Sequence, residues 1–285
     1  SPLHGTLLLG QVYGLLLVGL VAGWIAERRG RPVLAHVLYG VTVALKPSLA
    51  PLLLPALVMR RWAPLRAGLA AAALATLTGV LVAGVSGGWE WLRIALTEPV
   101  PDTADNASLP GLAVRFGLPP MLGTLLGVGV LAATSAVLGR HRARVDPAGT
   151  APWAVIAAGL LLSPISWHNY LMLLWPGVLV LLAHGRRGAA AVMLAVAAVP
   201  VSWSAVWPPD GFAGDLGRSL YCAVLVGYWL VLLRAAARPE PPEHEPGPAD
   251  TADTADTADT AAGTFQPASR GAGEPGAREP GDSRP

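Results

Sequence analysis

Two apolar stretches of this chain break at residues that can do chemistry. In "ALKPSLAP", residues 44–51, Lys46 is the sole lysine of the sequence and sits among aliphatic side chains. In "SPISWHNY", residues 163–170, Ser163, Ser166, Trp167, His168 and Asn169 stand between two leucine runs. A lysine offers a compact cation to an anionic group. A histidine donates a hydrogen bond, accepts one, or carries charge near neutral pH. Trp167 presents a flat apolar face with one N–H, which suits a sugar ring or a lipid–water boundary. An ionisable group in an apolar segment costs a few kcal/mol and faces a cavity or a partner charge. The functional reading is a cation, Lys46, for the phosphate of a lipid-linked substrate, with Ser166, Trp167, His168 and Asn169 as further substrate contacts. The plain readings stay open: a lysine snorkelling to the interface, and a helix-breaking turn with an interfacial aromatic.

The elements that carry these residues follow from composition. The chain is 53% hydrophobic and 13% charged, whereas soluble domains hold roughly a quarter charged residues. Apolar runs recur from Leu7 to Leu233. The ten-residue alternation of a membrane β-barrel is not visible. The expected fold is all-α, a polytopic transmembrane helix bundle over residues 1–237. The single cysteine, Cys222, rules out an internal disulfide. The chain opens with Ser1 in an apolar run, with no recognisable signal peptide, and is expected to be part of a longer protein. Residues 238–285 are rich in Pro, Gly, Ala and acidic residues, with a Thr-Ala-Asp repeat. Such composition buries too little apolar surface to fold, so a disordered tail is expected.

Arginine placement predicts the topology. Clusters occur near 27–31, 59–66, 139–144 and 184–188, and at Arg234 with Arg238. The intervening loops hold only Arg93, Arg115 and Arg218. Cytoplasmic loops collect basic residues, which puts all five clusters and the tail inside. Full spans are then expected near 6–26, 67–86, 119–138, 189–207 and 217–236, each near the ~20 residues that cross a bilayer. Segments 33–59 and 151–184 begin and end at arginine clusters. Each must go up and return, as a short hairpin whose tip is buried in protein or lines a cavity. The tips are the two chemical stretches. Pro47 and Pro164 break the helices, and Ser48 and Ser166 are expected to cap the returning legs.

On the outer side, residues 86–97 read as a short interfacial helix carrying Trp89 and Trp91. Asn106 or Ser108 caps the next helix, with Pro110 in its first turn and Gly117 as its stop. Asn106 also heads a formal glycosylation triplet. Arg115 is a candidate for an external anion, or a surface arginine. "PPDG" around Asp210 reads as ordinary turn sequence. In the first span Gln11 needs a polar partner in lipid. It is either a substrate contact or a helix-packing residue, with Gly10, Gly14 and Gly19 allowing close approach. Phosphate-binding glycine loops, metal-ligand spacings and nucleic-acid signatures are absent from the sequence.

The stretches "GQVYGLLLVGL", "YGVTVALKPSLAPLLLPALVMRRW", "NASLPGLAVRFG" and "LLLSPISWHNYLMLLWP" occur in that order. Together they resemble glycosyltransferase family 87, the polyprenol-phosphate-mannose-dependent α-(1→2)-mannosyltransferases of actinobacteria, over about residues 1–235. The resemblance implies a multi-pass plasma-membrane enzyme of the inverting GT-C type. It would pass a hexosyl group, mannosyl in the family, from a polyprenyl-phosphate donor to an extracytoplasmic glycolipid or glycan acceptor, with no cofactor or metal. It implies a catalytic Asp in a first external loop, expected before Ser1, so the chain would be the C-terminal portion. It also implies phosphate or acceptor contacts at Lys46 and His168. Asn169-Tyr170 departs from the family's usual pattern, which leaves the acceptor open. Lys46, Arg115 and a protonated His168 would stabilise charge on the departing lipid phosphate, while a carboxylate takes the acceptor's proton. The alternatives are a transporter or lipid flippase, in which broken helices also occur, and an inactive membrane scaffold.

Overall fold

The computed structural model describes residues 13–198 and 211–238. Gln11, Gly10, Asp210 and the tail after residue 238 lie outside the described residues. The described chain is helical, and its sole β-type pairing is an isolated antiparallel bridge between Asn106 and Trp167.

Helix α1 (Tyr13–Arg28) turns at Gly30, whose φ of 69° lies in the left-handed region, into α2 (Pro32–Leu45). Pro47 ends α2. The residue before a proline avoids helical backbone, and Lys46 is extended at φ −144° and ψ 91°. The chain returns as a seven-residue 3-10 segment, Pro47–Leu53, and then α3 (Leu54–Val58), with Pro55 in its first turn. Next come α4 (Trp62–Ala83), α5 (Val85–Thr97), α6 (Leu109–Arg115) and α7 (Pro120–Arg140). The second broken hairpin runs up α8 (Ala151–Leu162). It returns as another seven-residue 3-10 segment, His168–Leu174, and α9 (Trp175–Ala183), with Pro176 in its first turn. Helices α10 (Arg187–Ala198), α11 (Phe212–Arg218) and α12 (Leu220–Ala237) follow.

Helices α4, α7 and α12, of 22, 21 and 18 residues, are long and apolar enough to cross a membrane. The outgoing legs α2 and α8 have 14 and 12 residues, roughly 21 and 18 Å at 1.5 Å per residue. Such legs fall short of ~30 Å of hydrocarbon. A 3-10 helix rises about 2.0 Å per residue, so each return leg stretches further per residue than an α-helix would. Runs of seven are uncommon, because eclipsed side chains and poorer hydrogen bonds limit them. Two prolines explain the first: Pro47 and Pro51 both remove N–H donors from an α-helical pattern. The second has no internal proline; its first N–H, at His168, bonds outside the segment to the Asp105 carbonyl, and Tyr170 N makes the first 3-10 bond to Trp167 O.

Neither expected serine cap is present. The residue before the first 3-10 segment is Lys46 and before the second Trp167, and neither segment has a side-chain cap. The Oγ atoms of Ser48 and Ser166 are buried without a partner. The capping position falls on the extended residue of each break, which leaves Ser48 two positions past it and Ser166 one before it. Ser108 does cap α6, accepting from Gly111 N at 3.0 Å, and Gly117 follows with φ 68°. Helix α5 forms over Val85–Thr97 with no buried residue, and Trp89 and Trp91 are exposed on it.

Polar contacts separate two ends. At one end Glu27 pairs with Arg61 at 2.5 Å, Trp24 Nε1 donates to Ala148 O at 2.6 Å, and Thr150 Oγ1 donates to Leu232 O at 3.0 Å. These contacts gather the arginine clusters of 27–31, 59–66 and 139–144, and the end of α12. The two broken tips lie at the other end. Between them α8 is the axis of the core, buried from Ala151 to Leu161. Helices α2 and α4 press together at Gly40 and Gly68: a Cβ on Gly40 would collide with the Gly68 carbonyl oxygen and meet Ala71 Cβ at 3.0 Å. In α1, Gly19 is a close-approach site against Thr42, whereas Gly14 faces open space. Gly40→Val is expected to destabilise by about 1–3 kcal/mol or more, the usual cost of overpacking. Gly79→Ala, in open space on α4, is expected to be neutral or stabilising by up to ~1 kcal/mol. Thermal unfolding of the purified protein in detergent measures both.

Candidate functional site

The second break leaves backbone groups that no helix satisfies, and the loop between α5 and α6 takes them up. His168 N donates to Asp105 O at 2.8 Å and Ala107 N to Ser166 O at 2.6 Å. Asn106 fills the centre. It is 0% exposed, its Oδ1 accepts from Ser166 N at 3.0 Å and Ser108 N at 3.2 Å, and its Nδ2 donates to Pro164 O at 3.1 Å and Pro101 O at 3.3 Å. All four hydrogen-bonding positions of the amide are therefore used. Both ends of that amide reach across to the break. A glycan cannot be attached at a nitrogen so buried and committed, which removes the glycosylation reading of the triplet in the folded protein.

Arg115 holds the same loop from the other side. It is 4% exposed. Its Nη1 donates to Thr103 O at 2.8 Å and Asn106 O at 2.9 Å, and its Nε donates to Ser219 Oγ at 3.1 Å at the start of α12. Ser219 Oγ in turn donates to Asp215 O at 2.7 Å. Nη2 is buried without a partner. Burial lowers the guanidinium from its usual value. The arginine thus ties loop, α6 and α12 together.

The sequence-predicted site residues divide as follows. Lys46 Nζ lies over the Tyr170 ring, 3.7 Å from its centroid, and Tyr170 meets Tyr13 edge-on at 5.0 Å. The two tips therefore touch, through a residue not singled out from the sequence. No carboxylate pairs with Lys46 among the described residues, and a ring face attracts a cation without neutralising it. His168 is stacked on Tyr221 with centroids 4.9 Å apart. Its Nδ1 lies 3.1 Å from Asp105 Oδ1. The imidazole beside it holds the Asp105 carboxyl below the ordinary carboxylate value, against the opposing effect of burial. Trp167 is half-buried against the core. Ser166 and Asn169 are buried, and Asn169 Oδ1 has no partner. Lys46 thus meets the second tip at Tyr170, while Ser166, Trp167, His168 and Asn169 lie within that tip, which is docked by the loop that Arg115 holds. No group of metal-ligating residues occurs among the described residues.

Asp105 is the chemical residue that the sequence did not point to. Its partner, His168, is far away in the chain, and "DTADN" reads like any polar loop. An Arg218 pair with Asp215, and a longer one with Asp102 at 3.8 Å, decorates the same rim.

The described residues are helical and strongly apolar, with three helices long enough to cross a membrane, as in a membrane protein. The profile of glycosyltransferase family 87 matches residues 1–164, and the chain belongs to that family. A further relative is an α-(1→3)-arabinofuranosyltransferase of Corynebacterium glutamicum, 28% identical over 208 residues. The match covers 64% of this chain and 44% of that enzyme, so the chain spans less than half of the relative's length. No solved structure matches.

Asn106→Ala removes four hydrogen bonds and leaves buried backbone groups unpaired. At about 1 kcal/mol for a typical bond, and 1–3 for an orphaned buried group, a loss of roughly 2–4 kcal/mol is expected. Thermal unfolding measures it, and faster amide exchange at Ser166 and His168 would show that the break has come undocked.

Proposed function

We propose that this chain carries the substrate end of a membrane glycosyltransferase. The enzyme moves a mannosyl group from a polyprenyl-phosphate donor to a glycolipid or glycan acceptor outside the plasma membrane, by an inverting displacement of the GT-C kind. The arginine-rich end faces the cytoplasm with the tail, and the two broken tips face outward. Membership of the family supports glycosyl transfer. The arabinofuranosyltransferase relative is named for a different sugar; mannose rests on the resemblance of the motifs.

The observation that carries the reading is the meeting of the two tips. The sole lysine of the chain lies over the ring of Tyr170, in the tip that also carries His168. Displacement at the anomeric carbon leaves negative charge on a lipid phosphate. A cation held over a ring, without a carboxylate to neutralise it, stabilises that charge as it develops. The half-buried Trp167 offers a face to the sugar, and the unpartnered Asn169 Oδ1 can accept from one of its hydroxyls. A transporter built on inverted repeats would place its two breaks in opposite senses; these two sit side by side.

In the full-length enzyme, Lys46→Ala and His168→Ala are each expected to lower transfer from polyprenyl-phosphate-mannose by about 100-fold or more, the scale of losing one preorganised charge-stabilising group. A radiolabelled-donor assay in membranes measures this. Turnover at the wild-type level in both folded variants would remove the site assignment.

A further inference from the structure

His168 is held from three directions. Its backbone N–H is bonded to Asp105 O at 2.8 Å. One ring face is stacked on Tyr221. Its Nδ1 is buried and lies 3.1 Å from Asp105 Oδ1, angled off the line of an ideal hydrogen bond. No other acceptor or donor meets Nδ1 among the described residues. This geometry decides where the neutral ring keeps its proton. A bare Nδ1 lone pair at this distance from a carboxylate oxygen would be repelled by it. An Nδ1–H is attracted, and a small rotation of the half-exposed Asp105 carboxylate completes the bond. The partner on one ring nitrogen thereby sets the state of the other.

We propose that Asp105 is a positioning residue for His168: its carboxylate keeps the imidazole proton on Nδ1 and so presents Nε2 as a bare lone pair to a hydroxyl of the bound donor sugar or acceptor. The inference deepens the transferase reading above and rests on it for the identity of the hydroxyl. It also alters the role expected of His168. A ring in this state accepts a hydrogen bond from a sugar hydroxyl and offers no proton to the phosphate, which leaves Lys46 as the phosphate's cation at the tips.

The backbone makes the test clean. Asp105 docks the loop through its carbonyl, and Asn106 supplies the buried bonds, so removing the Asp105 side chain leaves the docking intact. The experiment is nitrogen NMR of histidine-labelled full-length enzyme in nanodiscs, with His168 assigned by its loss in His168→Gln, alongside turnover. Wild type is expected to show Nδ1 protonated and Nε2 bare. Asp105→Ala is expected to shift His168 toward the opposite tautomer and to lower turnover by roughly tenfold or more, as loss of an imidazole's outer partner does elsewhere. Asp105→Glu should recover much of both. A rise in KM confined to the acceptor places the hydroxyl on the acceptor; one confined to the donor places it on the donor sugar. A wild-type proton on Nε2 overturns the proposal. So does an Asp105→Ala enzyme with an unchanged tautomer, whatever its turnover. If the tautomer follows Asp105 while the wild type transfers no sugar, the pair stands and the transferase reading fails.

Discussion

A helix that stops in an apolar interior leaves N–H and C=O groups that apolar neighbours cannot satisfy, and in this protein the Asn106 side chain takes up Ser166 N and Pro164 O at the second break. Its amide is a small template with two donors and two acceptor positions, each matched to a backbone partner. The cost it offsets is large: a buried unpaired peptide group is worth several kcal/mol in an apolar medium. Once the break is stable, the residues around it acquire fixed positions. His168 receives a backbone bond, Trp167 a bridge, and Tyr170 a place beneath Lys46. The arrangement of the residues at the second tip thus depends on an amide outside that tip.

The first break is stabilised by a different route. Pro47, Pro51 and Pro55 remove donors from the returning leg instead of supplying them with partners. Fewer orphaned N–H groups need fewer external acceptors, so the first tip packs against α8, with Pro51 and the Ser48 carbonyl close to Gly159. Two chemically unlike solutions give the same backbone outline, an extended residue followed by seven residues of 3-10 helix. The likeness of the hairpins is therefore one of membrane constraint rather than of sequence.

Much of this was legible in the chain. Arginine spacing located the hairpins because charge asymmetry and length are additive properties of a segment. Pro47 and Pro164 located the breaks because proline acts on its immediate neighbour. The cap at Ser108 and the stop at Gly117 were legible for the same reason. Ser48 and Ser166 do not cap, because a cap depends on exact register and the extended residues Lys46 and Trp167 take that position. Asp105, Tyr170, Ser219 and Tyr221 stayed hidden because their roles exist only across long separations. Asn106 was visible, yet its nearest motif was the wrong one. Local signals name the elements; only contact between elements names the site.

The Arg115 clasp has a consequence for biogenesis. Asn106 meets its partners at Pro164 and Ser166, 58 and 60 residues later, and Arg115 meets Ser219 after 104. A chain made from its N-terminus has this loop synthesised well before either partner. The loop therefore waits undocked while the second hairpin and then α12 are threaded into the bilayer. The guanidinium of Arg115 reaches its serine only once α12 has been made. Docking of this loop therefore reports the arrival of α12.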